Sequence, residues 1–135
     1  MPVRVRLRID AAISSTSVEE KDLGNKHYEI VADSQNEGGT WKTRVPAGAV
    51  DLNVTLRDVT TGRLLVAATN TVDPNASPGS ITLKRNNIAA EAIEIAPMSG
   101  TKQGLLALTT NGLTAVFVSN PGTVDMEITF SVAGD

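Results

Sequence analysis

Three arginines stand at alternate positions near the start of the chain, Arg4, Arg6 and Arg8. Read as a strand, that spacing projects all three from one side. Such a stripe suits an anionic partner: nucleic acid, a membrane surface or an acidic protein patch. The other account is a solvated strand face whose arginines meet acidic neighbours across a ladder. Asp125 and Glu127 make a matching acidic pair near the C-terminus. The spacing predicts that the two terminal strands meet, within one chain or between subunits.

Other residues capable of chemistry are few and isolated. His27 is the single histidine and no G-x-S-x-G elbow accompanies it, so a Ser/His/Asp nucleophile has no second signal. One histidine and no cysteine leave a zinc site short of its usual ligands. The run DSQNEGG at 33–39 misses the calcium-loop spacing, because Gln35 stands where a carboxylate or Asn is needed and no glutamate closes the loop. Asp33 and Glu37 remain the two residues there that suit a looser calcium site or a partner contact; the plainer account is the tip of a hairpin. Asn53-Val54-Thr55 and Asn75-Ala76-Ser77 match the glycosylation sequon, which without a signal peptide reads as chance. Trp41 and Tyr28 are the residues for a glycan-stacking platform, if a hairpin brings them together; the plainer account is that they cover the edge of an aliphatic core. No phosphate-gripping glycine motif and no suggestive carboxylate pair is present. No cofactor, metal or catalytic residue is expected, and an enzyme is the least favoured class.

The elements that must position these residues read as strands. Val3, Val5, Leu7 and Ile9 alternate with charged residues, and Val124, Met126, Ile128, Phe130 and Val132 alternate with Asp125, Glu127, Thr129 and Ser131. Both have the period of a half-buried strand. Between them, 11–26 has no sustained period: a helical turn is compatible with Thr16 to Glu19, and Gly24-Asn25 would end it. Residues 27–32 and 40–45 read as a hairpin around the 33–39 tip, with Trp41, Thr43 and Val45 on one face and Lys42 and Arg44 on the other. Val50, Leu52, Val54 and Leu56 alternate as a further strand. A turn at 58–62, a strand after it, a proline-bearing loop at 73–79 and a short strand with Ile81 and Leu83 inward follow. The stretch 88–96 mixes helix and strand formers and is read as strand from its surroundings. Asn111-Gly112 and Asn120-Pro121-Gly122 divide 104–135 into a three-strand meander.

The sum is an all-β, single-domain antiparallel β-sandwich or barrel, jelly-roll or immunoglobulin-like, with about eight or nine short strands and little helix. A chain of 135 residues fits one domain spanning 1–135, with residues 1–10 as an interacting N-terminal strand or arm. Four aromatics, Tyr28, Trp41, Phe117 and Phe130, require an aliphatic core. The formal charge of −3 gives no general attraction to nucleic acid. MPVRVRLRID lacks the apolar run of a signal peptide, and no segment has the length of a spanning helix. These features favour a soluble, cytosolically made protein with neither nucleic acid nor membrane as partner.

The closing run GLTAVFVSNPGTVDMEITF, a strand ending in Asn, a short turn and a two-faced strand, resembles the ends of small β-sandwich proteins on tailed-bacteriophage virions. Capsid decoration (cement) proteins and tail accessory proteins both show such endings. The resemblance is one of strand pattern and carries over no functional residue. It implies a non-enzymatic virion protein, made in the host cytoplasm, that binds across capsomer junctions and stabilises the shell. Its partners would be copies of itself, as a homo-oligomer such as a trimer, and the major capsid or tail protein. Arg4, Arg6 and Arg8 are the first expected contact residues, followed by Asp33, Glu37 and Trp41. A glycan-binding module using Trp41 and Tyr28, and an adhesin or pilus-like subunit, are the alternatives.

Overall fold

The computed structural model describes residues 3–14, 22–35, 37–57, 59–98 and 103–134. Among them there is no helix, and ten strands follow in chain order. β1 (Val3–Ser14) pairs antiparallel with β2 (Asp22–Gln35) as a two-stranded ribbon. β3 (Glu37–Val45), β5 (Gly62–Thr71), β8 (Gly104–Leu113) and β10 (Met126–Gly134) make one four-stranded sheet in the order β3-β10-β5-β8. β4 (Leu52–Val54), β6 (Ile81–Arg85), β7 (Ile93–Ile95) and β9 (Val116–Ser119) make the other in the order β4-β9-β6-β7. All pairs are antiparallel.

The pairing is nested. β3 pairs with β10, β4 with β9, β5 with β8 and β6 with β7, as if one long hairpin had been laid out and rolled up. Two more ladders, β10 with β5 and β9 with β6, close the roll. This is the strand order of an eight-stranded jelly roll. The expected meander at 104–135 is therefore not formed: β8 and β10 lie in one sheet and β9 in the other. Asn111 and Gly112 belong to β8, and the chain turns after them.

Period two chose the buried faces correctly. Met126, Ile128, Phe130 and Val132 of β10 are all fully buried, as are Leu65, Ala67, Ile81, Leu83, Val116 and Val118. The alternating Glu127, Thr129 and Ser131 stay half-exposed. Thr69 faces inward with them and its hydroxyl accepts the Gly104 N–H at 3.0 Å, so the polar atom is satisfied. At the end of β10 a side chain on Gly134 would collide with the Thr61 carbonyl, so the close crossing of β10 over the start of β5 requires glycine.

Several turn signals are overridden by pairing. Gly24 and Asn25 lie inside β2, opposite Ile13 and Ala12. Asp33, Ser34 and Gln35 complete β2, while Gly38 and Gly39 sit in β3 opposite Ala133 and Val132. The 33–39 hairpin tip is thus absent: β2 turns to β1 and β3 to β10, so the two strands join different sheets. Strand propensity is decided by such cross-strand partners more than by local composition. Residues 15–21, where a helical turn was compatible, lie outside the described residues. The strand expected from Val50 is shortened to Leu52–Val54, with Val50 78% exposed. Of 88–96, only Ile93–Ile95 is strand.

Asn120 explains that shortening. It is fully buried at the end of β9, and its backbone N–H donates to the Ala49 carbonyl while its own carbonyl accepts from Gly48 N, each at 2.9 Å. The side-chain amide donates to the carbonyls of Val45 (3.0 Å) and Val124 (2.8 Å), and its oxygen accepts from Gly122 N (3.1 Å). The turn after β3 is held against the turn before β10, with Gly48 at φ 80° and Asp51 at φ 47°. Asn120→Ala strips two carbonyls and one N–H of their partners in a buried setting, and is expected to cost about 2–4 kcal/mol. Urea unfolding monitored by circular dichroism measures it.

Candidate functional site

The expected partner residues do not converge. Arg6 and Arg8 are exposed on β1, opposite Val31 and Glu29 of β2. A register shift between Val3 and Val5 interrupts the ladder at Arg4. Asp33 lies in β2 and Glu37 opens β3, so they flank a passage between sheets and not a loop tip. His27 and Tyr28 lie in β2, opposite Asp10 and Ile9.

Trp41 is a core residue, as the plainer account has it, and not the surface contact also expected of it. It is 7% exposed, with its ring 6.0 Å from Phe130 at a 34° tilt, in the register pair Trp41–Phe130. The apolar indole fills the β3 edge of a core otherwise short of aromatics. A glycan platform of Trp41 and Tyr28 across a hairpin is not assembled, since no hairpin joins their strands.

The terminal strands come near each other but do not pair as a ladder. Both edges of β10 are occupied along its length, by β3 and by β5, so β1 has no ladder position beside it in the chain or from a second copy. The acidic pair is instead answered by β3. Glu127 stands opposite Arg44 in the register, and its carboxylate reaches Lys42 at 3.7 Å. Arg44 pairs directly with Asp125. Lys42 and Arg44 have the same two-residue spacing as Asp125 and Glu127, a signal present in the sequence and weighted below the N-terminal arginines.

Asp125 also has a structural task. Its second oxygen accepts the Ala47 N–H at 2.9 Å, and its backbone carbonyl accepts from Val72 at 3.1 Å. The Ala47 amide first, and then the Arg44 guanidinium, hold its carboxyl below the usual aspartate range. Beside it opens a shallow cleft of about 430 Å³ lined by Arg44, Val72, Asp73, Ala76, Thr123, Val124 and Asp125. Arg44 and Asp125 there pair with each other, and Asp73 accepts from the Asn75 amide at 2.9 Å, so these charged groups brace the turns. Lys84 and Asp51 form a separate, more sheltered pair at 3.0 Å. Among the described residues no group of three His, Asp or Glu side chains is placed to hold a metal, and no helix is long and apolar enough to cross a membrane.

No protein-family model and no curated protein matches the sequence.

The Asp125 latch has a pH signature. A lowered folded-state pKa means that its contribution is present above the unfolded value of roughly 4 and is lost as pH falls through the folded one. Thermal melts of wild type and Asp125→Asn are expected to differ at pH 7 and to converge in acid, once the carboxylate is protonated.

Proposed function

We propose that the chain is a non-enzymatic structural protein of a virion, seated on the shell as a capsid decoration protein; a tail-accessory position is the second form of the same reading. The observation that carries it is the β1–β2 ribbon. It lies beside β3 and β10 but adds a strand to neither sheet. A two-stranded sheet on its own is marginal in water and gains stability from a surface to pack against. At about 3.3 Å per residue, its 12-residue and 14-residue strands reach roughly 40 Å, the scale of a junction between neighbouring subunits. Arg4, Arg6 and Arg8 stand at alternate positions of β1, in a ribbon whose basic and acidic residues balance, and an acidic patch on a shell protein is the partner proposed for them.

The sandwich behind the arm suits the same role. Its interior is filled with aliphatic side chains from both sheets, and jelly rolls serve widely as virion modules. Fold alone does not decide function; the resemblance of the closing strands to phage virion proteins supplies the rest. Many copies, each held by a modest arm contact, would oppose expansion of the shell through multivalency.

Gold-labelled antibody against the protein, applied to purified virus particles from the source, tests the proposal. Label over the shell is the expected result, label confined to the tail selects the second form, and particles without label overturn both. In the same particles the triple variant Arg4→Glu, Arg6→Glu and Arg8→Glu is expected to reduce occupancy at least about tenfold while the sandwich keeps its melting profile. Full occupancy would remove the arm from the contact.

A further inference from the structure

The jelly roll leaves four edge strands: β3 and β8 in one sheet, β4 and β7 in the other. β4 and β7 have only three residues each. β3 carries Glu37, Lys42 and Arg44. Shortness and charge are the usual protections of an edge against pairing with another chain. β8 has neither. It has ten residues, and the chain holds no charged side chain from Gln103 to Val124. A register shift between Gly62 and Leu64 distorts its far end, which leaves the run LLALT, 105–109, as a regular edge.

The core is open at the same place. At the β3 edge Trp41 and Val45 seal it, at 7% and 0% exposure. At the β8 edge the inward Leu106 and Leu108 pack on the core but stay only partly buried. On the outer face Leu105 is 62% exposed, at the end of a register row running Lys42, Thr129, Ala68, Leu105. Charge thus declines across the sheet towards an apolar, unprotected margin.

We propose that β8 pairs antiparallel with β8 of a second copy, about a two-fold axis near Ala107. In that register Ala107 meets its own counterpart, Leu106 meets the second copy's Leu108, and Leu105 meets the second copy's Thr109. Residues opposite one another in an antiparallel pair share a face, so the inner leucines of each copy cover the open core edge of the other. Charge favours a copy of this chain, with the same neutral margin, over a charged partner. Two chains of net charge −3 repel except where their surfaces are neutral, and this pairing sets neutral against neutral. The Lys42–Glu127 and Arg44–Asp125 pairs go to the far margins of the joined sheet. A basic or acidic partner would find no counter-charge along 103–124. The contact is isologous and closes at two copies, so a trimer would need a different surface. The inference stands apart from the virion reading, which concerns β1–β2.

The chain has no cysteine, so a single introduced one is a clean reporter. Ala107→Cys is expected to form a disulfide-linked dimer on mild oxidation, because directly opposed strand residues fall within bridging distance, whereas Asn53→Cys on exposed β4 is not. Light scattering after size exclusion is expected to give the wild type at least twice the 14.1 kDa chain mass. Ala107→Lys should halve that mass while keeping the wild-type circular dichroism spectrum; Thr109→Lys, also exposed, serves if the first variant does not fold. A wild type at single-chain mass, an assembly that survives both lysines, or no Ala107→Cys cross-link would overturn the proposal. Particle labelling that persists in the halved variant would leave the virion reading intact, so the two fail separately.

Discussion

A single buried amide, Asn120, holds together the part of this molecule where the roll must close. The nested pairing requires the turn after β3 and the turn before β10 to lie side by side, and the one bond inside the first turn, from Ala49 N to the Pro46 carbonyl at 3.1 Å, does not join them. Asn120 donates to Val45 and Val124, accepts from Gly122, and exchanges backbone bonds with Gly48 and Ala49. Outside it, the Asp125 carboxylate repeats the connection by accepting from Ala47 and pairing with Arg44. The inner latch works from a fully buried amide whose donors and acceptors all find partners. The outer one is exposed and contributes by geometry, holding a turn whose amide would otherwise face solvent.

At the other end Asn86 does comparable work. It adopts φ 65° after β6, a conformation that asparagine tolerates better than most residues. Its side-chain oxygen accepts from Thr114 N at 2.8 Å and its amide donates to the Gly112 carbonyl at 2.7 Å. The turn between β8 and β9 is thereby fixed to the end of β6. With both ends tied, β10 is held between β3 and β5, and its four inward side chains lie at the centre of the core. The separateness of the β1–β2 ribbon follows from the same closure: the roll is complete without the N-terminal strands.

What was legible in the sequence was local. Alternation identified β10, β6 and the inward face of β3 down to individual side chains, because burial on one face of a strand imposes period two. Partner choice was not legible. Nothing in GLLALTTNGL or VFVS shows that they lie in different sheets, and Asn111-Gly112 reads as a turn until β5 is seen to extend β8 past it. Gly24-Asn25 and Gly38-Gly39 were likewise absorbed into strands by neighbours distant in sequence. For the candidate site, a ladder of Asp125 and Glu127 with the N-terminal arginines was ruled out because both edges of β10 are taken by β3 and β5, a fact of topology. Asn120 itself was visible as the residue before Pro121-Gly122, but its burial was not.

In the proposed role the molecule is a carrier with a binding ribbon at one place and an uncharged edge at another. The central claim is that the ribbon, and not the sandwich, engages the shell. Hydrogen exchange read by mass spectrometry, comparing the free protein with the protein bound to its particle, tests this most directly. The account predicts new protection in β1 and β2 on binding, with β5 and β10 slow in both states because each is bonded on both sides. Unchanged exchange in β1 and β2, with protection gained only on the sandwich loops, would contradict it.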